Sequence, residues 1–122
     1  MNKPVIYIAG KLSDQPEGYI KNMHKMIREA EEIRRLGFAV VVPCLDVLCG
    51  LVMGDMTYED YFENNLAIMR KCDGVYMMQG WTASKGAVRE YKIAEDAGIP
   101  VFLSAESLQH HFGGVCNDQR RD

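Results

Sequence analysis

Between Gly80 and Glu90 the chain reads GWTASKGAVRE. Two hydroxyls, Thr82 and Ser84, stand before a helix-like pattern, and either can cap it. A helix that starts this way turns unpaired amides and the positive end of its dipole outward, which suits a phosphate or a carboxylate. Gly86 falls in the first turn, where glycine carries a penalty of about 1 kcal/mol. Close approach of the helix to a sheet, or of its backbone to a ligand, would account for it. Trp81 is the only tryptophan and lies in the turn itself. There an indole can stack on a planar ring such as a nucleobase, or plug a subunit interface. Glu90 is the one carboxylate of the stretch. From about one and a half turns inside the helix it can serve as a catalytic acid or base, or enter an ion pair with Arg70 or Arg89.

A second candidate segment is Tyr7-Ile8-Ala9-Gly10-Lys11. Gly10 allows a sharp exit from a strand or close approach to a ligand, and Lys11 can meet an anion. Gly80 is placed to converge on the same edge as Gly10. Asp46, after a later strand, and Asp14 are further acids on loops. Neither GxGxxG nor a Walker sequence is present, so a standard dinucleotide site and a P-loop are both excluded. Cys44, Cys49, Cys72 and Cys116 lack CxxC or paired zinc spacing, and neither a metal nor a cofactor is expected.

The elements that must position these residues are legible from periodicity. Val5–Ala9, Phe38–Val42, Val75–Met78 and Ile99–Leu103 are short apolar runs of the kind buried on both faces of a sheet. Between the first two, Ile20, Met23, Ile27, Ala30, Ile33 and Leu36 recur at helical steps, and Gly37 ends the helix. The stretch 44–56 reads as an irregular loop, long enough to be a lid, a binding loop or a subunit contact. Thr57 with Asp60 resembles a capping box for a helix over Tyr58–Cys72. A third helix spans about Ser84–Ala97, and a short last helix runs from Ser104 to His110. The order βαβαβαβα predicts a parallel sheet of four or five strands with helices on both sides. Ligands of such sheets bind beyond the carboxyl ends of the strands, where strand order reverses.

At 122 residues the chain reads as one domain, 1–112, followed by a polar, flexible tail over 113–122. A net charge of −3 gives no footprint for DNA or RNA. No apolar run approaches the ~20 residues of a membrane span, and the cysteine usage suits reduced thiols; a cytoplasmic protein with no membrane partner is expected.

With IYIAG at the first strand, NNL before a helix end and SKGA at the third helix, the chain resembles the nucleoside 2-deoxyribosyltransferase family. It is most similar to a small phage and bacterial branch with a GWxxSxGAxxE signature, over about Tyr7–Phe102. The resemblance implies a flavodoxin-like three-layer fold and cleavage at the N-glycosidic bond of a deoxynucleoside or its 5′-monophosphate. It also implies a homo-oligomer in which a neighbouring subunit completes each site, with 44–56 as the natural donor. Family members use a glutamate nucleophile in the form D-x-G-T-x-x-E-x-G, oriented by a tyrosine. Tyr7 falls where that tyrosine belongs. Asn65, Met78 and Ser84 stand where three acids would be expected, Ser84 at the nucleophile position itself. The expected ligand is therefore a nucleoside or nucleotide held by Gly10, Lys11, Asn65, Gly80, Trp81, Ser84 and Gly86. Glu90, Asp46 and Tyr7 are the candidates for chemistry, with Asp14 in reserve. The alternative is a non-catalytic module that senses a nucleotide after losing the catalytic carboxylates.

Overall fold

The computed structural model describes residues 2–13 and 15–121, with 114–121 described by their backbone alone. Four strands, β1 (Val5–Ala9), β2 (Ala39–Val41), β3 (Gly74–Met77) and β4 (Val101–Phe102), form one sheet in the order β2-β1-β3-β4. Every pairing is parallel. The helices are α1 (Pro16–Arg35), α2 (Val47–Met53), α3 (Tyr58–Met69), α4 (Lys85–Asp96) and α5 (Ala105–Arg121). Apolar side chains on both faces of β1 and β3 force cover on both sides. Ile6, Ile8, Tyr76, Met78 and Phe102 pack with α1 and α5, through Met26, Ala30, Ile33 and Leu108. Tyr7, Ala9, Val75 and Met77 pack with α3 and α4, through Met69, Ala87 and Ala94. The result is a flavodoxin-like three-layer α/β fold, and strand order reverses between β1 and β3.

Local chemistry sets the helix starts. Thr57 and Asp60 form the reciprocal capping box of α3, each side chain bonded to the other's backbone amide at 3.2 and 2.8 Å. Pro16 opens α1 at a position that needs no amide donor. The largest departure from the sequence reading is at 44–56. It is not irregular: a 3-10 turn over Pro43–Asp46 leads into α2, which ends at Gly54 in the left-handed region. Its pattern was masked because α2 has no buried residue and so no amphipathic period. Helix α3 stops at Met69, before Cys72. The last helix passes the expected end at His110 and reaches Arg121 across non-helical dihedrals at Phe112. The side chains expected in a flexible tail from residue 114 onward lie outside the described residues. Among the described residues no helix is long and apolar enough to cross a membrane.

Gly74 shows how closely β3 and β4 are fitted. A Cβ there would lie 2.7 Å from the Phe102 ring and 3.4 Å from Ile6 Cδ1. Both neighbours are buried and neither has room to retreat. Gly74→Ala is expected to destabilise the fold by about 1–3 kcal/mol through overpacking, read as a lower urea midpoint with an unchanged slope.

Candidate functional site

Beyond the carboxyl end of β1, between segments that follow β1, β2 and β3, lies a cavity of about 400 Å³. It is walled by Gly10 after β1, Asp46 before α2, Asn65 on α3, and Ser84, Gly86 and Glu90 around α4. These six come from segments spread over most of the chain, and strand order brings them together. Gly86, Ala87 and Glu90 share one face of α4, being three and four residues apart. Ser84 is the helix cap: its Oγ accepts from the Ala87 amide at 3.1 Å.

The centre of the site is a pair from the sheet and the helix. Tyr7 is fully buried on β1, and its hydroxyl donates to Glu90 Oε2 at 2.6 Å. Burial pushes the Glu90 carboxyl up to about 7, even though the Tyr7 hydrogen bond pulls the other way by stabilising the carboxylate. Burial, with the adjacent Glu90 charge, also drives the Tyr7 phenol far above its usual range, so it remains a donor. The ion pair considered for Glu90 does not form. Arg89 points elsewhere and bridges Glu59 at 2.8 Å.

A second polar pair faces the same space. Asn65 Nδ2 donates to Asp46 Oδ2 at 3.2 Å. Partial burial raises the Asp46 carboxyl above its usual value, and the Asn65 bond offsets part of that rise. Two carboxyls with raised protonation in one cleft can divide the work of a nucleophile and an acid. Among the described residues that line the cavity there is no Lys, Arg or His.

Three expected ligand residues lie elsewhere. Lys11 is exposed and is not part of the cavity wall. Gly80 adopts φ +86°, a left-handed turn that favours glycine, and borders a separate cavity of about 500 Å³ with Trp81, Tyr76 and Glu29. The Trp81 ring stacks on Tyr91 of α4, with centroids 4.8 Å apart, and packs against the Tyr7–Met77 side of the core. Its placement beside the helix cap, rather than over the cavity, follows from that stack. Asp14 lies outside the described residues.

The sequence reading missed the aromatic wall. Tyr58, Tyr61, Phe62 and Asn65 all line the cavity, joined by Tyr19 from α1. Their spacing of three, four and seven residues along α3 is the signal that would have found them, since it places one polar and three aromatic residues on a single helix face. Gly86 is also explained. A Cβ there would meet the Tyr58 hydroxyl at 2.9 Å, so the close approach is made by a side chain of α3.

A parallel α/β domain with a carboxylate-bearing cavity at its topological switch point is thus the class that fold and site define. Residues 4–103 match the family described as Domain of unknown function (DUF4406), and the chain belongs to that family. No curated protein and no solved structure gave a significant match.

The raised Glu90 carboxyl has a direct consequence for stability. Unfolded, it ionises near 4.5; folded, near 7. Between these values the native state holds more protons, so its stability falls as pH rises from about 4.5 to about 7. Glu90→Gln removes this dependence. The variant is expected to exceed wild type by up to about 3 kcal/mol above pH 7, and to lose that advantage below pH 4.5. Urea denaturation across that range checks it.

Proposed function

We propose that the chain binds a nucleoside or nucleotide in the 400 Å³ cavity and cleaves the N-glycosidic bond of a deoxynucleoside or its 5′-monophosphate. The observation that carries this reading is the buried Tyr7–Glu90 pair. The resemblance to nucleoside 2-deoxyribosyltransferases puts an orienting tyrosine at Tyr7 and a nucleophilic carboxylate at Ser84. Here Ser84 caps the helix, and the carboxylate that the tyrosine holds stands six residues further along the same helix. The pairing of groups is kept while the position of the acid has moved.

In this mechanism the Glu90 carboxylate attacks the anomeric carbon. The bond from that carbon to the base nitrogen breaks, its electron pair passes to the base, and the base takes a proton from Asp46. Water or the nitrogen of a second base then opens the sugar ester on Glu90 and returns a proton to Asp46. Such oxocarbenium-like chemistry needs a carboxylate beneath the sugar and an acid near the leaving group. Tyr7 is a positioning residue: it fixes the carboxylate and touches no substrate. The amides of the α4 start, with Ser84 and Gly86, would hold a sugar oxygen or a phosphate.

The subunit contact belongs to the same reading. Helix α2 borders the cavity through Val47 and exposes Leu48, Leu51, Val52 and Met53, with Val52 at 81% and Leu51 at 74% exposure. A stripe this apolar beside a site is the expected contact with a second copy.

Purified protein incubated with deoxynucleosides and their 5′-monophosphates is expected to release free base, followed by chromatography. Release should fall as pH rises through about 7, because the two carboxyls must keep one proton between them and the last one is lost there. It should vanish in Glu90→Gln and fall about 10²–10⁴-fold in Asp46→Asn. Ligand binding without release from any of them would mean a nucleotide sensor and would overturn the catalytic reading. In sedimentation velocity, wild type is expected to run as an oligomer, and Leu51→Glu with Val52→Glu to shift it toward the monomer.

A further inference from the structure

Tyr58 is the first residue of α3 and stands at the cavity wall while half of it remains exposed, at 50%. Exposed tyrosines usually sample several rotamers, but three contacts hold this one. One ring face stacks on Phe62, with centroids 5.7 Å apart and planes at 21°. Its hydroxyl sits over Gly86, at a place that only a residue without a Cβ leaves open. The third contact is Arg89, whose guanidinium lies 3.8 Å from the Phe62 ring centroid and interacts with the Tyr58 hydroxyl. Arg89 is itself anchored to both carboxylate oxygens of Glu59 at 2.8 and 3.3 Å. Glu59 raises the guanidinium's pKa above its ordinary value, with a smaller contribution from Tyr58. Phe62 is nearly buried, so the stack is rooted in the core.

The arrangement is two stacked layers, a buried phenyl and then a half-exposed phenol at the mouth of a cavity, with a guanidinium against both. Layers of this kind bind planar rings, because an aromatic face gains by offset stacking and a preset ring loses little freedom on binding. Trp81 is spent on Tyr91 and does not line this cavity.

The geometry points to Tyr58 as the platform on which the planar ring of the ligand stacks, with Arg89, Phe62 and Gly86 as the residues that hold it in place. The proposal rests on the nucleoside or nucleotide reading for the identity of the ring, but not on cleavage. The binding energy of this site then lies in ring stacking more than in charge. Its selectivity would run first between ligands that have a planar base and those that do not. Tyr58 is the specificity residue, and the other three are positioning residues.

Ligand-observed NMR titration of the whole chain with adenine, cytosine, guanine, thymine and deoxyribose tests the platform without any turnover. Wild type is expected to bind at least one base more tightly than the sugar. Tyr58→Ala should weaken that base about fivefold or more, while Tyr58→Phe stays within about twofold. Gly86→Ala, which leaves the ring but displaces its hydroxyl seat, should weaken the base as well. Thermal unfolding of each variant shows that the fold is intact, and Gly86→Ala serves if Tyr58→Ala does not fold, unchanged base binding there overturning the platform. Binding of no base, equal binding in Tyr58→Ala, or an equal loss in Tyr58→Phe would each overturn the platform. The two readings separate cleanly. Base binding that depends on Tyr58, with no release from any nucleoside, keeps the platform and sinks the chemistry. Release that is indifferent to Tyr58→Ala does the reverse.

Discussion

A tyrosine hydroxyl and a carboxylate facing each other inside the protein constrain nearly everything around them. Tyr7 is fully buried and Glu90 largely so, at the cavity wall, and each is the partner of the other at 2.6 Å. An unpaired phenol or carboxylate at this depth would lose its hydration with nothing in exchange, typically 1–3 kcal/mol or more. Strand β1 and helix α4 must therefore keep their relative height and rotation. Strand β1 lies inside the sheet, paired to both β2 and β3, so its register is set from two sides. Helix α4 is set by the small residues Ala87 and Ala94 against the sheet and by the Ser84 cap. The hydrogen bond thus links the best-determined strand to the helix that carries the candidate carboxylate.

The same burial that makes the pair expensive makes it chemically apt. A carboxyl raised to about 7 changes its charge within the neutral range and is poorly hydrated when ionised. Asp46 sits across the cavity in a milder environment, half-buried and bonded to Asn65. The asymmetry between the two acids comes mainly from depth: Glu90 lies deeper, between sheet and helix at the cavity wall, while Asp46 is less buried and its rise is offset by the Asn65 bond. The aromatic face of α3 closes the remaining side, held by the Glu59–Arg89 bridge that ties α3 to α4.

Much of the fold was readable because parallel strands and their covering helices leave strong periodic marks. Val5–Ala9 is read to the residue, and α4 and α3 start where Ser84 and Thr57 place their caps. Helix α2 escaped because none of its apolar residues is buried, so no amphipathic period marks it. Of the residues singled out in the sequence, Gly10, Asp46, Asn65, Ser84, Gly86 and Glu90 line one cavity, Asn65 having been pointed to by the family resemblance alone, while Gly80 and Trp81, close in sequence to Ser84, line another. They turn away because Tyr91 offers the indole a stacking partner across one helical face. The aromatic wall was missed because a run of aromatic residues on a helix also describes ordinary core packing.

What the sequence by itself determined is the set of elements, their parallel order and the supply of polar groups to one edge of the sheet, since these depend on local periodicity, caps and short-range chirality. Only the tertiary structure decided which of those groups meet. The Tyr7–Glu90 bond joins residues 83 positions apart, and the choice of Glu90's partner between Tyr7 and an arginine turned on a helix rotation that no local pattern encodes. Tyr58's seat over Gly86 and Trp81's turn toward Tyr91 were decided in the same way. Such contacts depend on how whole faces pack, and packing at native density is a property of the assembled layers.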